Sequence, residues 1–494
     1  MNKSIKINKT LKTTNQTNQS NLIDNTVQKI NAFSELKNKK FDVISDRIEF
    51  IKLLLGDNNL NSMVDFDLCD TEHVENRTNG FDIRDIMTKK YMDFNKLICE
   101  IGGKLLYIKS GTTGHTFKGI IYDIDGVTEI LNYAVKVVAY PVRENYGDVN
   151  DIKRPENAEL MMLRVLSKFV VNMETPHIVL PIGTFNTNIK PFIVLAKNKI
   201  IENKKYDQFV KRYKQSEYHD EVSILISEWA NGGDLLDYIK NNYQNMKLRD
   251  WRVIFFQIIS VLCVIQTKYP DFRHNDLKAN NILVQQIESR EKNNYFLYQL
   301  NINKSSDHME SNKESKYEFM VPNIGIQIKL WDFDFACIPG VVENSKVNAD
   351  WTDKINVRPV QNRYYDLHYF FNTLTKRGFF PEFWEAKEIH HSVKQFVRDI
   401  VPDLYYGSGQ KLTEEQLKDS NYPKPLLSEN GRILTDVEYT YPQKILIEHK
   451  FFDKMRPDKT KVSKLQQNII NSDNKQNSDN KQNSDKQNSD IIDV

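Results

Sequence analysis

The sequence predicts an α+β fold built from a sheet-rich amino lobe and a helix-rich carboxyl lobe. Three observations support this prediction. Strand-like segments dominate the first half of the chain, helix-like segments dominate from Tyr364 onward, and a length of 494 residues suits two lobes with additions better than one small domain. Two lobes of different composition leave a cleft between them, where a ligand site is expected.

The amino lobe is predicted to contain five strands, a hairpin turn at Asp125-Gly126 and a helix over 155–170 that opens with Pro155. A longer helix is predicted over 249–267, because its apolar residues recur with the 3.6-residue period of one helix face. The predicted strands are 105–110, 116–124, 130–140, 178–185 and 222–229.

Charge and cysteine content exclude several classes of protein. Lysine and arginine total 68 against 66 aspartate and glutamate, a net charge of +2, so the chain carries no overall field for nucleic acid or for a membrane surface. The 4 cysteines lie far apart, which argues against a disulfide framework or a zinc site and for a reducing compartment. With no apolar leader and no apolar stretch long enough to span a bilayer, we expect a soluble cytoplasmic protein.

Polar and low-complexity segments divide the chain. A repeat from Asn471 to Asp490 contains no apolar residue, so we expect it to be disordered. Polar stretches over 197–220 and 286–318 are expected to be surface insertions into the amino and carboxyl lobes. The expected organisation is a low-complexity segment over 1–40, a helical extension over 41–95, the amino lobe over 96–229, the carboxyl lobe over 230–455 and a disordered tail over 456–494.

The run His274-Asn275-Asp276-Leu277-Lys278-Ala279-Asn280-Asn281, directly after the long helix and before an apolar strand, carries the densest chemical signal. Phosphoryl transfer needs a base directed at the incoming hydroxyl, a cation near the transferred phosphate and an oxygen ligand for a metal. Asp276, Lys278 and Asn281 supply these three groups within one loop. Taken alone, the run also fits a polar turn before a strand.

This run resembles the catalytic loop of the eukaryotic-type protein kinases, and other pieces follow in the order of that family. Residues 110–119 are similar to its glycine-rich phosphate loop, although Lys109 stands where the first family glycine is usual. Glycine allows backbone N–H groups to approach phosphate oxygens closely. The resemblance implies that the nucleotide contacts Ile108, Gly111, Thr112, Gly114 and Thr116.

The family's ion pair between a strand lysine and a helix glutamate also has a counterpart. Lys136, in Tyr133-Ala134-Val135-Lys136, matches the lysine that contacts the nucleotide phosphates. Glu159, in the early turns of the next helix, matches its partner, and Glu156 lies one turn earlier as the alternative. A single helix glutamate is more often a solvated charge than an ion-pair partner.

The segment from Ile226 to Leu235 resembles the hinge between the two kinase lobes. The resemblance implies that the backbone at Glu228 and Ala230 hydrogen-bonds adenine and that Asp234 meets the ribose. Ser227 falls at the gatekeeper position, where a small side chain leaves a back pocket open.

Residues 329–336 resemble the metal-binding aspartate motif, with Asp332 as Mg²⁺ ligand beside Asn281. Asp334 replaces the usual glycine, and the arginine that normally precedes the base is replaced by Asn275. Because asparagine cannot grip a phosphate in the bidentate manner of arginine, we expect a kinase that is active without phosphorylation of its activation segment. Asp366 matches the buried aspartate that braces the catalytic loop.

The resemblance implies a bilobal protein-kinase-like fold and an ATP- and Mg²⁺-dependent serine/threonine kinase that acts on protein substrates. It extends to the divergent kinases of large cytoplasmic DNA viruses, including the poxvirus-type virion kinase, and so to the host cytoplasm and packaging in the virion. Two other functions stay open: a small-molecule phosphotransferase of the aminoglycoside or choline type, and a pseudokinase scaffold. The substrates and the oligomeric state are not predicted.

Overall fold

A computed structural model describes most of the chain. The described residues are 33, 43–56, 60–64, 66, 82–111, 113–123, 125–195, 203–287, 295–303, 314–410, 416 and 425–457. The predicted low-complexity segment over 1–40 and tail over 456–494 fall almost wholly outside them.

The amino lobe is a five-stranded antiparallel sheet whose strands lie in the order β1-β2-β3-β5-β4. Each of the five predicted strands is confirmed within a few residues, and Asp125 forms the predicted turn by accepting hydrogen bonds from the backbone of Val127 and Thr128. The strands are β1 Lys104–Ser110, β2 Gly114–Tyr122, β3 Glu129–Pro141, β4 Pro181–Asn188 and β5 Tyr218–Glu228.

Helices account for most of the regular structure in the rest of the described chain. Before the sheet lie α1 Ile44–Leu55, α2 Arg84–Met87 and α3 Phe94–Ile101; within the amino lobe lie α4 Pro155–Val171, α5 Lys190–Ile193 and α6 Lys204–Lys214. The carboxyl lobe contains α7 Leu235–Asn242, α8 Leu248–Lys268, α9 Asp350–Asp353, α10 Tyr365–Leu374, α11 His391–Ile400 and α12 Pro442–Glu448. Short 3₁₀ turns lie at Glu144–Tyr146, Ala279–Asn281, Pro381–Phe383, Asp403–Tyr405 and Lys450–Met455.

The predicted α+β fold, with its sheet-rich amino lobe and helix-rich carboxyl lobe, is confirmed. The core of the carboxyl lobe forms around α8, whose apolar face is fully buried as its periodicity predicts. Two short antiparallel ribbons complete this lobe: β6 Ile282–Gln286 with β9 Ile326–Leu330, and β7 Tyr295–Asn303 with β8 Glu314–Pro322. None of the helices in the described part of the chain is long and apolar enough to cross a membrane.

Both polar insertions carry more regular structure than the sequence indicated. In the first, Tyr206 and Phe209 of α6 are buried against the sheet, where both rings contact His115. In the second, strands β7 and β8 form a hairpin whose Tyr298 lies against Phe256 of α8. These elements were not predicted because both segments are mostly polar, and only two or three aromatic rings attach each of them to the core.

The amino-terminal extension is part of the amino lobe's core, and the expected boundary at residue 96 falls inside α3. Arg47 of α1 is fully buried on the same helix face as Phe50 and Ile51. Its guanidinium donates to both carboxylate oxygens of Glu228, at 3.0 and 2.6 Å. It also donates to the carbonyl oxygens of Pro176 at 2.8 Å and Ile178 at 2.7 Å.

A second buried cation reaches inward from the extension. Lys89 donates to Tyr140 Oη at 2.6 Å, to Ser223 Oγ at 2.8 Å and to Asn157 Oδ1 at 3.0 Å. These three acceptors belong to β3, β5 and α4. Burial lowers the pKa of Lys89 to about 7. The extension is therefore tied to the sheet and to α4 by side chains that water does not reach.

We predict that Arg47→Met lowers the free energy of unfolding by about 3 kcal/mol, because the buried Glu228 carboxylate loses one of its two cations and two carbonyl oxygens lose their donor. Urea denaturation of the full chain measures this. The matched control is Arg84→Met, in the same extension, whose ion pair with Asp82 is exposed and whose loss is expected to leave the midpoint unchanged. Equal midpoints for Arg47→Met and the unsubstituted protein would contradict the structural role given to Arg47.

Candidate active site

A buried carboxylate holds the catalytic loop in place. Asp366, in the first turn of α10, accepts hydrogen bonds from the backbone N–H groups of His274 at 2.7 Å and Asn275 at 2.9 Å. Burial raises the pKa of Asp366 and these backbone bonds oppose the rise. Asn275 adopts a left-handed backbone conformation with φ of 62°, which asparagine tolerates better than most residues. The loop, held against α10 by Asp366, therefore turns sharply at Asn275 and presents the next residue to the cleft.

That next residue is Asp276, and the structure brings the three predicted loop residues together around it. Lys278 Nζ lies 2.7 Å from Asp276 Oδ2. Asn281, at the end of a 3₁₀ turn, donates from its amide nitrogen to the same oxygen at 3.0 Å and to the backbone oxygen of Asp276 at 2.9 Å. A carboxylate, a cation and an amide thus share one small cluster.

Lys136 of β3 joins residues from three separate parts of the chain. Its ammonium lies 2.6 Å from Glu159 Oε1 of α4 and 3.1 Å from Asp332 Oδ1, which follows β9. Glu156, the alternative partner, instead pairs with Arg154 at 3.0 Å. Burial alone would lower the pKa of Lys136, but the Asp332 and Glu159 carboxylates outweigh it and raise the pKa above its ordinary value.

Asp332 is presented to the cleft while the residue after it is anchored in the core. Asp332 has a left-handed φ of 63°, and 40% of its side chain stays exposed although Lys136 binds one oxygen. Although partial burial would raise the pKa of Asp332, the ion pair with Lys136 holds that pKa below its ordinary value. Phe333 is fully buried, with its ring centroid 5.0 Å from that of His274. Asp334 is ion-paired with Lys346.

The described residues of the predicted phosphate loop lie in the facing ends of β1 and β2 and in the turn between them. Gly111 N–H donates to Gly114 O at 2.8 Å, which closes the turn. A Cβ atom at Gly114 would lie 1.8 Å from the carbonyl oxygen of Val137, so glycine is required there by the neighbouring strand. Thr116 lies directly across from Lys136 in the β2–β3 pairing.

The other two predicted residues of the nucleotide loop are Ile108 and Thr112. Ile108 lies at a register irregularity in the β1–β2 pairing and is 39% exposed. Thr112 lies outside the described residues.

The hinge residues have more specific surroundings than the sequence indicated. The backbone N–H of Glu228 donates to Leu180 O at 3.1 Å, which leaves only its carbonyl for a nucleotide. Its side chain is buried between Arg47 and Lys329, and these two cations hold the pKa of Glu228 at about 2 although burial would raise it. Ala230 makes no backbone hydrogen bond within the described chain. Asp234 caps α7 by accepting from Asp237 N–H at 3.0 Å.

The end of the hinge is joined to the strand that follows the catalytic loop. Gly232 N–H donates to Val284 O at 2.8 Å, and Val284 N–H donates to Gly233 O at 2.9 Å. A Cβ atom at Gly232 would lie 2.7 Å from Val284 O, so this close approach needs glycine. The hinge and the catalytic loop are therefore held at a set separation.

Oxygen donors suitable for Mg²⁺ are present in the cleft. Asp332 offers an exposed carboxylate. The side-chain nitrogen of Asn281 donates to Asp276, which leaves the side-chain oxygen, Oδ1, without a partner among the described residues. Groups of three or more His, Cys, Asp or Glu side chains that would form a closed metal site are absent from the described chain. A small set of oxygen ligands is typical of Mg²⁺ bound together with substrate phosphates.

The segment after Asp332 is ordered by hydrogen bonds to the catalytic loop. Asn275, at the position where arginine was expected in the family, donates to Phe335 O at 3.0 Å. Arg273 donates to the carbonyl oxygens of Asn356 and, at 3.3 Å, Val360. The Arg273 guanidinium also lies 3.7 Å from the centre of the Tyr365 ring. Arg273 therefore binds the backbone of this segment directly.

Sequence reasoning missed three charged residues that shape the site: Arg47, Arg273 and Arg432. Arg432 lies 2.6 Å from Asp276 Oδ1. A signal existed for Arg47, which occupies an apolar-face position of a predicted helix. No local pattern marked Arg273 or Arg432, because each acts on a partner far away in the chain.

Comparisons with known proteins agree with this geometry. A family model described as a Haspin like kinase domain matches residues 178–352. A protein of Acanthamoeba polyphaga mimivirus named "Putative serine/threonine-protein kinase R400" is 43% identical over 417 residues, which are 83% of this chain and 80% of that protein. "Serine/threonine-protein kinase 2" of vaccinia virus (strain Copenhagen) is 28% identical over 178 residues, which are 36% of this chain and 32% of the vaccinia protein.

The similarity to R400 covers most of both chains, and the Haspin like match contains the hinge, the catalytic loop and Asp332. The chain therefore belongs to the serine/threonine-protein kinase family and resembles the divergent kinases of large cytoplasmic DNA viruses.

Proposed function

We propose that this kinase transfers the γ-phosphoryl group of ATP, with Mg²⁺ as cofactor, to serine and threonine hydroxyls of protein substrates. The observation that supports this best is the pair of contacts at Lys136, at 2.6 Å to Glu159 and 3.1 Å to Asp332. These contacts bring the strand lysine, the helix glutamate and the metal-binding aspartate into one cluster, as phosphoryl transfer requires.

Asp276 is the proposed base. Its carboxylate orients the substrate hydroxyl and accepts its proton as the phosphoryl group is transferred. Lys278, 2.7 Å from Asp276 in the absence of substrate, is placed to balance negative charge on the transferred group. Lys136 binds the nucleotide phosphates, and Glu159 keeps the lysine in that position.

Asp332 and Asn281 are the proposed Mg²⁺ ligands. Bound Mg²⁺ neutralises charge on the β- and γ-phosphate oxygens. Ile108, Gly111, Thr112, Gly114 and Thr116 are proposed to cover the nucleotide, with the Glu228 carbonyl and Ala230 backbone on adenine and Asp234 on the ribose. Since Asp234 uses one carboxylate oxygen to cap α7, its other oxygen is the one proposed to meet the ribose.

The two alternatives have less support. An acidic residue at position 334 is shared with small-molecule phosphotransferases, but Asp334 is ion-paired with Lys346, which leaves it less free to bind a metal. A pseudokinase scaffold is disfavoured because Lys136, Glu159, Asp276, Asn281 and Asp332 are all present. From the viral relatives we further propose that the protein acts in the host cytoplasm and is packaged in the virion.

We predict that Asp276→Asn lowers kcat by about 10²–10⁴-fold with little change in ATP binding, because the substitution removes a base and keeps the shape of the side chain. Lys136→Met is expected to abolish transfer as well, but with weakened ATP binding. Radiolabelled phosphate transfer to mixed protein acceptors and a nucleotide-binding assay measure the two effects.

The matched control is Asp271→Asn, five residues earlier in the same loop, which is expected to keep its activity. Near-normal turnover by Asp276→Asn would remove this residue from the proposed mechanism. Near-normal turnover by Lys136→Met would do the same for the lysine.

We predict that thermal stabilisation of the protein by ATP requires Mg²⁺ and is lost in Asp332→Ala. Without nucleotide phosphates, two protein ligands hold Mg²⁺ weakly, and without the metal the phosphates face Asp332 as like charges. Thermal unfolding with ATP plus Mg²⁺, and with ATP plus a chelator, tests this. Equal stabilisation in the two conditions contradicts the proposed metal ligands.

We predict that exhaustive phosphatase treatment, followed by removal of the phosphatase, leaves kinase activity almost unchanged. The segment is ordered by Arg273 and Asn275 through backbone oxygens, and the hydroxyls of Thr352 and Tyr364 are buried in hydrogen bonds. Ser345 is only partly buried and is the site to test with a Ser345→Ala variant. Loss of activity that autophosphorylation of Ser345 restores would overturn the expectation.

A further inference from the structure

A turn near the carboxyl end of the described chain places an arginine against the proposed base. Arg432 follows Gly431 in a tight turn that begins at Ser428, and its guanidinium is buried between α10 and the catalytic loop. Its Nη2 lies 2.6 Å from Asp276 Oδ1. The residue lies 156 positions from its partner and outside the segment matched by the Haspin like family model.

Arg432 uses its two terminal nitrogens for different partners. While Nη2 binds the Asp276 carboxylate, Nη1 donates to the backbone oxygen of Asn275 and to Tyr365 Oη at 3.1 Å. The guanidinium also lies 4.0 Å from the centre of the Tyr369 ring. The charge, the forked donors and the flat face of the Arg432 guanidinium therefore all make contacts. A lysine ammonium could supply the charge but neither the fork nor the face.

Hydrogen bonds within the turn and to neighbouring residues fix the backbone around Arg432. Ser428 N–H donates to Arg432 O at 2.9 Å, and Arg432 N–H donates to Ser428 Oγ at 3.0 Å. Asn372 of α10 donates to Gly431 O at 2.8 Å, and Asn356 donates to Ile433 O at 3.0 Å.

Gly431 is a necessary part of this turn. Its φ is 74°, and a Cβ atom there would lie 2.5 Å from Gly407 O and 2.8 Å from Asn372 Nδ2. Both the backbone conformation and the lack of space require glycine. The backbone on both sides of Arg432 is therefore held in place by its neighbours.

Contacts among the described residues leave the Asp276 carboxylate with one open acceptor position. Two carboxylate oxygens offer about four acceptor positions. Arg432 takes one on Oδ1, while Lys278 at 2.7 Å and Asn281 at 3.0 Å take two on Oδ2. The remaining position is on Oδ1, so rotation of the carboxylate is restricted and one direction is left for a substrate hydroxyl.

We propose that Arg432 is a positioning residue, which orients the Asp276 carboxylate so that its open acceptor position faces the substrate hydroxyl. This rests on the proposed role of Asp276 as the base. In this role Arg432 acts through Asp276, so its loss is expected to affect turnover and to spare ATP binding.

The test compares Arg432→Gln and Arg432→Lys with the unsubstituted full-length kinase. We expect kcat to fall about 10²-fold in Arg432→Gln, since small misplacements of a reacting group have effects of that size. KM for ATP and thermal stabilisation by ATP with Mg²⁺ are expected to stay unchanged. Arg432→Lys keeps the charge without the fork of donors, so a smaller fall in kcat is expected.

Chemical rescue separates positioning from folding. In Arg432→Ala, added guanidinium ion is expected to restore part of kcat, whereas a purely structural defect would not respond. The matched control is Arg363→Gln, because Arg363 ties the same segment to α10 through Glu438, at 2.7 Å, without contacting Asp276. This control is expected to lose thermal stability and keep kcat.

The proposal is overturned if Arg432→Gln keeps full kcat, or if kcat falls only in step with ATP binding and guanidinium restores nothing. Should Arg432→Gln fail to fold, Arg432→Lys and the rescue experiment decide. Asp276→Asn is measured in parallel. An active Asp276→Asn refutes the proposed base, whereas an inactive Asp276→Asn with fully active Arg432 variants refutes only the role of Arg432.

Discussion

The arrangement of the cleft depends on the charge of Lys136. An ammonium group in a mostly buried position needs carboxylate partners, and here the partners are Glu159 at 2.6 Å and Asp332 at 3.1 Å. The requirement sets the rotation of α4, since Glu159 faces inward while Glu156 turns to Arg154. It also sets the position of the segment after β9 relative to the sheet, so elements of both lobes are aligned by one side chain.

The same principle recurs at two places where an arginine from outside the motif segments binds a carboxylate within them. Arg47 enters from the amino-terminal extension and binds Glu228 at the hinge, while Arg432 enters from the carboxyl-terminal side and binds Asp276 in the catalytic loop. In each case a guanidinium satisfies a carboxylate and nearby backbone oxygens together, which its fork of donors allows. Segments that flank the kinase core therefore contribute to the geometry around Glu228 and around the proposed base, Asp276.

The activation segment makes its contacts through residues other than the arginine that the family uses. The family uses an arginine before the base to bind a phosphorylated residue, and this chain has Asn275 there. Asn275 and Arg273 donate instead to backbone oxygens of the segment, and Lys346 pairs with Asp334. These contacts are the basis for the expectation that the order of the segment does not depend on an added charge.

The sequence by itself determined the two-lobed α+β fold, the five sheet strands, the long helix α8 and the order of the motif residues, because periodicity and motif spacing are local properties of the chain. Only the tertiary structure decided which glutamate meets Lys136, and only packing placed Arg47 against Glu228 across 181 positions and Arg432 against Asp276 across 156. A buried charge takes whichever partner the packed chain brings within reach, and no local pattern encodes that choice.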